Sequence, residues 1–124
     1  MSKFKDWLAY KFAYSLALEI FQCSASFPKE ETYSLTGQIR RSSRSVCAGL
    51  AEAYGKRMYP AHFKSKMSDV IAEINETQCW LDFAADLNYV SRQLYEHLSD
   101  INGQVGKLAG TMIRHPDKFT HNGN

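Results

Sequence analysis

The sequence is poor in the residues from which small sites are most often built. Of its 124 residues only three are cysteines, namely Cys23, Cys47 and Cys79. Their number is odd and no two stand at a C-x-x-C spacing, which excludes a fully paired disulfide framework and a cysteine zinc site. We therefore expect three reduced thiols that pack as small buried hydrophobes in a cytoplasmic protein.

Signals for metal binding and catalysis are missing as well. The four histidines are His62, His97, His115 and His121. None belongs to an H-E-x-x-H or E-x-x-H pair, and no glycine-rich phosphate loop is present. Ser42, Ser43 and Ser45 have no identifiable base that could activate a hydroxyl. The sequence predicts a protein that is not an enzyme and that uses no metal or other cofactor.

Long apolar runs are also absent. No stretch approaches the ~18 uncharged apolar residues that a membrane-spanning helix needs. The first twelve residues contain Lys3, Lys5, Asp6 and Lys11 and lack the pattern of a secretory signal peptide. These observations favour a cytoplasmic location without a membrane partner.

What the sequence does contain is helical periodicity. Apolar residues repeat at four-residue spacing in the first predicted helix, and a heptad-like seam fills the last. The four predicted helices span about residues 6–24, 34–55, 60–87 and 91–114, with Asp6 and Ser91 as N-caps. The short connections between them favour antiparallel neighbours. We predict an all-α, antiparallel up-down-up-down four-helix bundle over residues 1–119, followed by a flexible tail over residues 120–124.

The first predicted helix is apolar on more than one side. Beyond its four-residue stripe it carries Trp7, Tyr10, Tyr14, Leu18 and Phe21. A helix that is apolar over most of its circumference is typically buried on several sides. We expect this helix to be covered on more than one face.

The outer face of the second helix combines small residues with arginines. At 100° per residue, Arg40, Arg41 and Arg44 lie opposite the apolar stripe, on the same side as Gly37 and Gly55. Glycine inside a helix costs up to ~1 kcal/mol relative to alanine. The pattern indicates that another surface approaches this face closely.

The third helix presents acidic and aromatic side chains on one side, namely Asp69, Glu73, Glu76, Trp80 and Phe83. Aromatic residues with charged flanks are typical of protein–protein interfaces. One hypothesis is that this face meets the basic face of another subunit and closes a ring, because two different surfaces in contact generate cyclic assemblies. The alternative is that the first helix covers Trp80 within the same subunit.

The basic residues suggest a ligand. Net charge is +2, but residues 1–66 hold 11 Lys/Arg and 5 Asp/Glu, whereas residues 67–124 hold 4 and 8. The candidate nucleic-acid-binding residues are Arg40, Arg41, Arg44, Lys56, Arg57, Lys64 and Lys66. They could track a phosphate backbone, with Tyr54 and Tyr59 stacking on bases. The alternative is a protein–protein scaffold in which the same arginines serve subunit or partner contacts.

Several stretches resemble one protein family. They are Phe-Pro-Lys-Glu-Glu at residues 27–31, the run from Tyr33 to Val46 that contains Arg-Arg-Ser-Ser-Arg-Ser, Ala-Glu-Ala-Tyr at residues 51–54 and Glu-Thr-Gln at residues 76–78. The combination resembles the bacterial four-helix bundle proteins, also called 23S rRNA intervening-sequence proteins. The resemblance implies a cytoplasmic homo-oligomer, with a homopentameric ring as the leading expectation, a link to RNA or DNA, and no catalytic residues.

Overall fold

The computed structural model describes residues 3–120. Four of the five residues of the predicted C-terminal tail, His121 among them, lie outside the described residues. The described chain forms four α-helices, α1 (Leu8–Ser24), α2 (Leu35–Gly55), α3 (Pro60–Asp86) and α4 (Arg92–Arg114). Short 3-10 helices lie at Phe4–Asp6, Lys29–Glu31 and Pro116–Lys118, and residues 3–120 contain no strand.

Local signals set the helix ends within two residues of the prediction. Ser91 caps α4, because its hydroxyl accepts a hydrogen bond from the Leu94 N–H at 3.0 Å. Asp6 does not cap α1. It lies in the first 3-10 helix, where its carboxylate accepts from the Lys3 N–H at 3.0 Å. Asn88 ends α3 in a left-handed conformation with φ of 62°, which asparagine tolerates better than most residues.

The core shows that neighbouring helices run antiparallel. One apolar cluster joins the start of α1 and α3 to the end of α2 and α4, and includes Ala9, Leu50, Phe63 and Val105. A second cluster joins the opposite ends and includes Ile20, Ile39, Leu81 and Leu98. Each helix packs on its neighbours in the chain, and α4 closes on α1. The predicted up-down-up-down four-helix bundle is confirmed.

A layer of buried polar side chains separates the two apolar clusters. Thr77 Oγ1 lies 2.8 Å from Ser42 Oγ and 2.9 Å from the Glu73 carbonyl. In α4, the Asn102 amide donates to the Ile74 carbonyl at 3.1 Å. A buried polar layer of this kind stabilises one helix register over shifted ones, because a shift leaves its groups without partners.

Glycines have different roles in α2 and α4. A Cβ atom at Gly49 would lie 2.7 Å from Cγ2 of Val70, so this glycine permits the close packing of α2 on α3. A Cβ atom at Gly103 would meet nothing within 4 Å. Gly37 faces its own chain, because a Cβ atom there would lie 3.0 Å from the Thr32 carbonyl oxygen.

Candidate nucleic-acid and partner interfaces

Arg41 is engaged within its own chain. Its guanidinium donates to both carboxylate oxygens of Glu73, at 3.2 and 3.3 Å, and forms an ion pair with Glu76. Trp80 Nε1 donates to the same Glu76 carboxylate at 3.4 Å. Of the three arginines on the predicted basic face of α2, Arg41 therefore pairs with the predicted acidic face of α3 inside one subunit. These charges neutralise one another across the α2/α3 groove.

Arg40 and Arg44 lie on the other side of α2, against α1. Arg40 Nε donates to Ser24 Oγ at 2.8 Å, and its guanidinium also donates to the Phe21 carbonyl at 3.3 Å. The Arg40 side chain thus satisfies groups in the last turn of α1. Its guanidinium carbon lies 4.4 Å from the centre of the Phe21 ring, and that of Arg44 lies at 5.5 Å. Both distances are within the range of a cation–π contact.

The remaining predicted basic residues lie around the α2–α3 turn. Lys56 and Lys64 are exposed, whereas Lys66 forms an ion pair with Glu52. The hydrogen bond that Lys66 donates to Glu52 raises the pKa of Lys66, so this lysine stays charged. Arg57 lies 3.5 Å above the Tyr54 ring and donates to the Tyr54 carbonyl at 2.8 Å. The exposed Tyr59 ring lies 5.8 Å from His62.

The fold sorts charge along the axis of the bundle. The end that holds the first apolar cluster (residues 3–13, 46–74 and 105–120) carries ten Lys/Arg and five Asp/Glu, a net charge of +5. We call it the basic end. The other end (residues 14–45 and 75–104) carries five Lys/Arg and eight Asp/Glu, a net charge of −3. The basic end unites three segments of the chain: Lys3, Lys5 and Lys11; Lys56, Arg57, Lys64 and Lys66; and Lys107, Arg114 and Lys118.

Two aromatic side chains of α3, Trp80 and Phe83, are partly exposed to solvent. Trp80 is half-buried against the second apolar cluster, and its ring centre lies 6.0 Å from that of Phe83. α1 and α3 are diagonal helices whose Cα atoms nowhere come within 8 Å of each other in the described chain, so α1 does not lie over Trp80. Phe83 and Leu87 are 52% and 47% exposed. Asp69 lies on the same side of α3 but within the basic end, and it is also exposed.

A further groove lies between α1 and α2, and the sequence analysis did not identify it. It is a cavity of about 400 Å³ whose lining includes Tyr10, Tyr14, Phe21 and Arg44. Tyr14, Leu18 and Phe21 are each about half exposed. α1 packs against both α2 and α4, which agrees with the expectation that it is covered on more than one face, but the side that carries these three residues is exposed. One sequence signal could have identified the groove: Tyr10, Tyr14 and Phe21 follow one another at spacings of four and seven residues.

The cysteines are not all buried. Cys23 and Cys47 are half-buried, whereas Cys79 is exposed, so the expected burial was wrong for Cys79. Burial raises the pKa of Cys47 to about 11, which leaves this thiol protonated at neutral pH. Among residues 3–120 no three His, Cys, Asp or Glu side chains gather closely enough to hold a metal ion. Within the same range no helix is long and apolar enough to cross a membrane.

These features define a class: a four-helix bundle whose accessible groups are charged and aromatic side chains on its outer faces. Residues 5–111 match the family described as 23S rRNA-intervening sequence protein, and the chain belongs to that family. The family assignment predicted from the sequence is confirmed. No curated protein matches the chain.

A solved structure supports the same assignment. The chain is similar to the crystal structure of a protein with unknown function from the S23 ribosomal protein family of Bacteroides thetaiotaomicron. The TM-score is 0.78 and the sequence identity 25%, over 86% of this chain and 96% of that chain. Neither the family description nor the description of this structure names a reaction.

Proposed function

We propose that the chain is a non-enzymatic nucleic-acid-binding bundle whose basic end binds the phosphate backbone. The observation that carries the proposal is the convergence of ten Lys/Arg side chains from three chain segments on one end. Clustered lysines and arginines bind nucleic acid by releasing condensed counterions, with little sequence specificity. The family description refers to 23S rRNA, which favours RNA as the ligand, and binding to RNA fits a cytoplasmic location.

The proposal narrows the predicted set of basic residues. Lys56 and Lys64 are exposed at the basic end and are its best candidates for phosphate contacts. Arg41 is excluded from the proposed site because it already pairs with Glu73 and Glu76. Tyr59 is 60% exposed beside these lysines, so its ring is available to stack on a base.

Reversing two charges at the basic end is expected to weaken RNA binding. The double variant Lys56→Glu/Lys64→Glu should bind a single-stranded RNA at least tenfold more weakly, and its salt slope should fall by about 1.4, since each phosphate contact on a single strand contributes about 0.7. Fluorescence anisotropy over a salt series measures both quantities. The matched control is Lys29→Glu/Arg92→Glu, which makes the same charge change at the other end. An equal loss of RNA affinity in the two double variants, with the helical circular dichroism signal retained in both, would contradict the proposal.

We also propose that the chain self-associates through the exposed end of α3. The supporting observation is the adjacent pair of Phe83 and Leu87, each about half exposed beside the half-buried Trp80. Open apolar patches of this kind are typical of protein–protein contacts. Because Arg41 is neutralised internally, the contact would depend on apolar burial rather than on opposite charges. A ring-shaped homo-oligomer fits such a surface, and five subunits is the number that the family resemblance implies.

Removing an apolar side chain from this patch is expected to dissociate the assembly. We expect the wild-type chain to be oligomeric and Phe83→Ser to shift it towards monomer at micromolar concentration. Multi-angle light scattering measures the mass directly. Met58→Ser is the control, because Met58 is similarly exposed but lies at the basic end. A wild-type monomer, or an unchanged mass for Phe83→Ser, would refute this interface.

A further inference from the structure

We infer that the groove between α1 and α2 is a stacking platform for unpaired bases, so that the protein prefers single-stranded nucleic acid to a duplex. The inference rests on the proposed function and deepens it, because it names the form of nucleic acid that is bound. It adds a second surface to the basic end. Three observations support it: the row of aromatic rings, the sign of the charges, and the continuity of the groove with the basic end.

The aromatic rings form a row along α1. The rings of Tyr10 and Tyr14 are stacked, with centres 5.9 Å apart and planes inclined by 26°. Tyr14 is 50% exposed, and Phe21 lies further along the same side of the helix. At 1.5 Å per residue the three positions are about 6 and about 10 Å apart along the axis. The two exposed rings of the row, Tyr14 and Phe21, are far enough apart to stack on bases that have been unstacked from one another.

The charges that face this groove are positive. Arg40 and Arg44 lie over the Phe21 ring, and guanidinium planes can extend a stacking surface. α1 and α2 contain one carboxylate each, Glu19 and Glu52. Glu19 contacts His97 of α4 at 2.8 Å and Glu52 pairs with Lys66 of α3, so both point away from the groove.

The two sides of α2 differ in the charge of the side chains that line them, and this difference favours nucleic acid as the ligand of the α1/α2 groove. On the side that faces α3, the lining of a cavity holds three carboxylates, Glu52, Asp69 and Glu73, and one cation, Lys66, so its net negative charge disfavours a polyanion. In the α1/α2 groove the ionisable groups Tyr10 and Cys47 stay neutral, because burial raises the pKa of each. An aromatic and cationic groove without carboxylates is complementary to nucleic acid.

The groove is also continuous with the basic end. The Tyr10 ring lies 5.0 Å from that of Phe4, which lies 6.2 Å from Tyr54, and Arg57 covers Tyr54. A strand whose phosphates contact the α2–α3 turn can therefore continue into the groove. A duplex cannot insert its bases there, because they remain paired and stacked.

The test compares a single-stranded RNA with a blunt RNA duplex of the same length. We expect the wild-type chain to bind the single strand more tightly, and Tyr14→Ala to weaken single-strand binding about tenfold while duplex binding is unchanged. Tyr14→Phe should retain the affinity, because it keeps the ring. Tyr33→Ala is the matched control, since Tyr33 is 95% exposed outside the groove. A 2-aminopurine base in the strand reports stacking by its fluorescence.

The outcomes separate this inference from the proposed function. If the wild-type chain binds both RNAs equally, or if Tyr14→Ala changes neither binding affinity, the groove inference is contradicted, whereas the proposal for the basic end is unaffected. If Tyr14→Ala weakens single-strand binding but Lys56→Glu/Lys64→Glu does not, the proposal that the basic end binds phosphates is contradicted, whereas the groove inference is supported. A lower oligomeric mass for Tyr14→Ala, with RNA binding intact, would assign the groove to a second copy and overturn the inference.

Discussion

Replacing Asn102 by aspartate is expected to lower the free energy of unfolding by about 3–5 kcal/mol at neutral pH, the cost of an uncompensated buried charge. Asn102 is buried in the polar layer, and its amide donates to the Ile74 carbonyl at 3.1 Å and to Gln78 Oε1 at 3.2 Å. A carboxylate of the same shape can only accept hydrogen bonds. It would therefore face two oxygen atoms without a proton between them.

The destabilisation should depend on pH in a definite direction. Burial and the two facing oxygens favour the neutral carboxylic acid, so the pKa of the introduced carboxyl rises above its unfolded value of about 3.9. A group with a raised folded-state pKa contributes stability below the unfolded pKa, and that stability is lost as pH rises through the folded-state pKa. The difference in the free energy of unfolding between wild type and Asn102→Asp should be smallest near pH 4 and largest above pH 7.

The measurement is thermal unfolding of Asn102→Asp and Asn75→Asp from pH 4 to pH 8. Asn75 lies on α3 and is exposed, so the same chemical change there should alter stability by no more than about 0.5 kcal/mol. Equal melting temperatures for the two variants at pH 7 would show that Asn102 is not buried in a polar layer.

Replacing Gly49 by alanine is expected to lower the free energy of unfolding by about 1–3 kcal/mol, because an extra atom enters a packed interface. The new Cβ atom would lie 2.7 Å from Cγ2 of Val70, a β-branched side chain with little rotamer freedom. Alanine alone would favour the helix by up to ~1 kcal/mol. The net loss therefore measures how closely α2 and α3 approach each other.

Three further variants isolate the cause: Gly103→Ala, Val70→Ala and the double variant Gly49→Ala/Val70→Ala. Gly103→Ala should raise stability by up to ~1 kcal/mol, because its Cβ atom would contact nothing within 4 Å. Adding Val70→Ala to Gly49→Ala should cost less than the sum of the two single changes, since removing Val70 Cγ2 makes room for the new methyl group. Denaturant unfolding at 25 °C measures all four variants. Additive effects, or a stabilising Gly49→Ala, would place α2 and α3 further apart.

Helix number, order and bounds follow from the sequence alone. Pro28 lies between α1 and α2, Pro60 is the first residue of α3 and Pro116 follows α4. Ser91 caps α4 and Asn88 ends α3, and each of these signals acts within a few residues. Apolar periodicity of the same short range identifies the core face of each helix. The family could also be assigned from sequence, because its motifs are spread over nearly the whole chain.

The placement of charge and of open surface was decided by the tertiary structure. Arg41 pairs with carboxylates 32 and 35 residues away, so its predicted role as a free cation could not be judged from its own helix. The basic end gathers three segments that are distant in sequence, and the α1/α2 groove exists because Tyr14 and Phe21 face outward beside Arg44. Periodicity identifies the side of a helix that is buried, whereas the neighbours of the remaining sides depend on how the helices pack around the core.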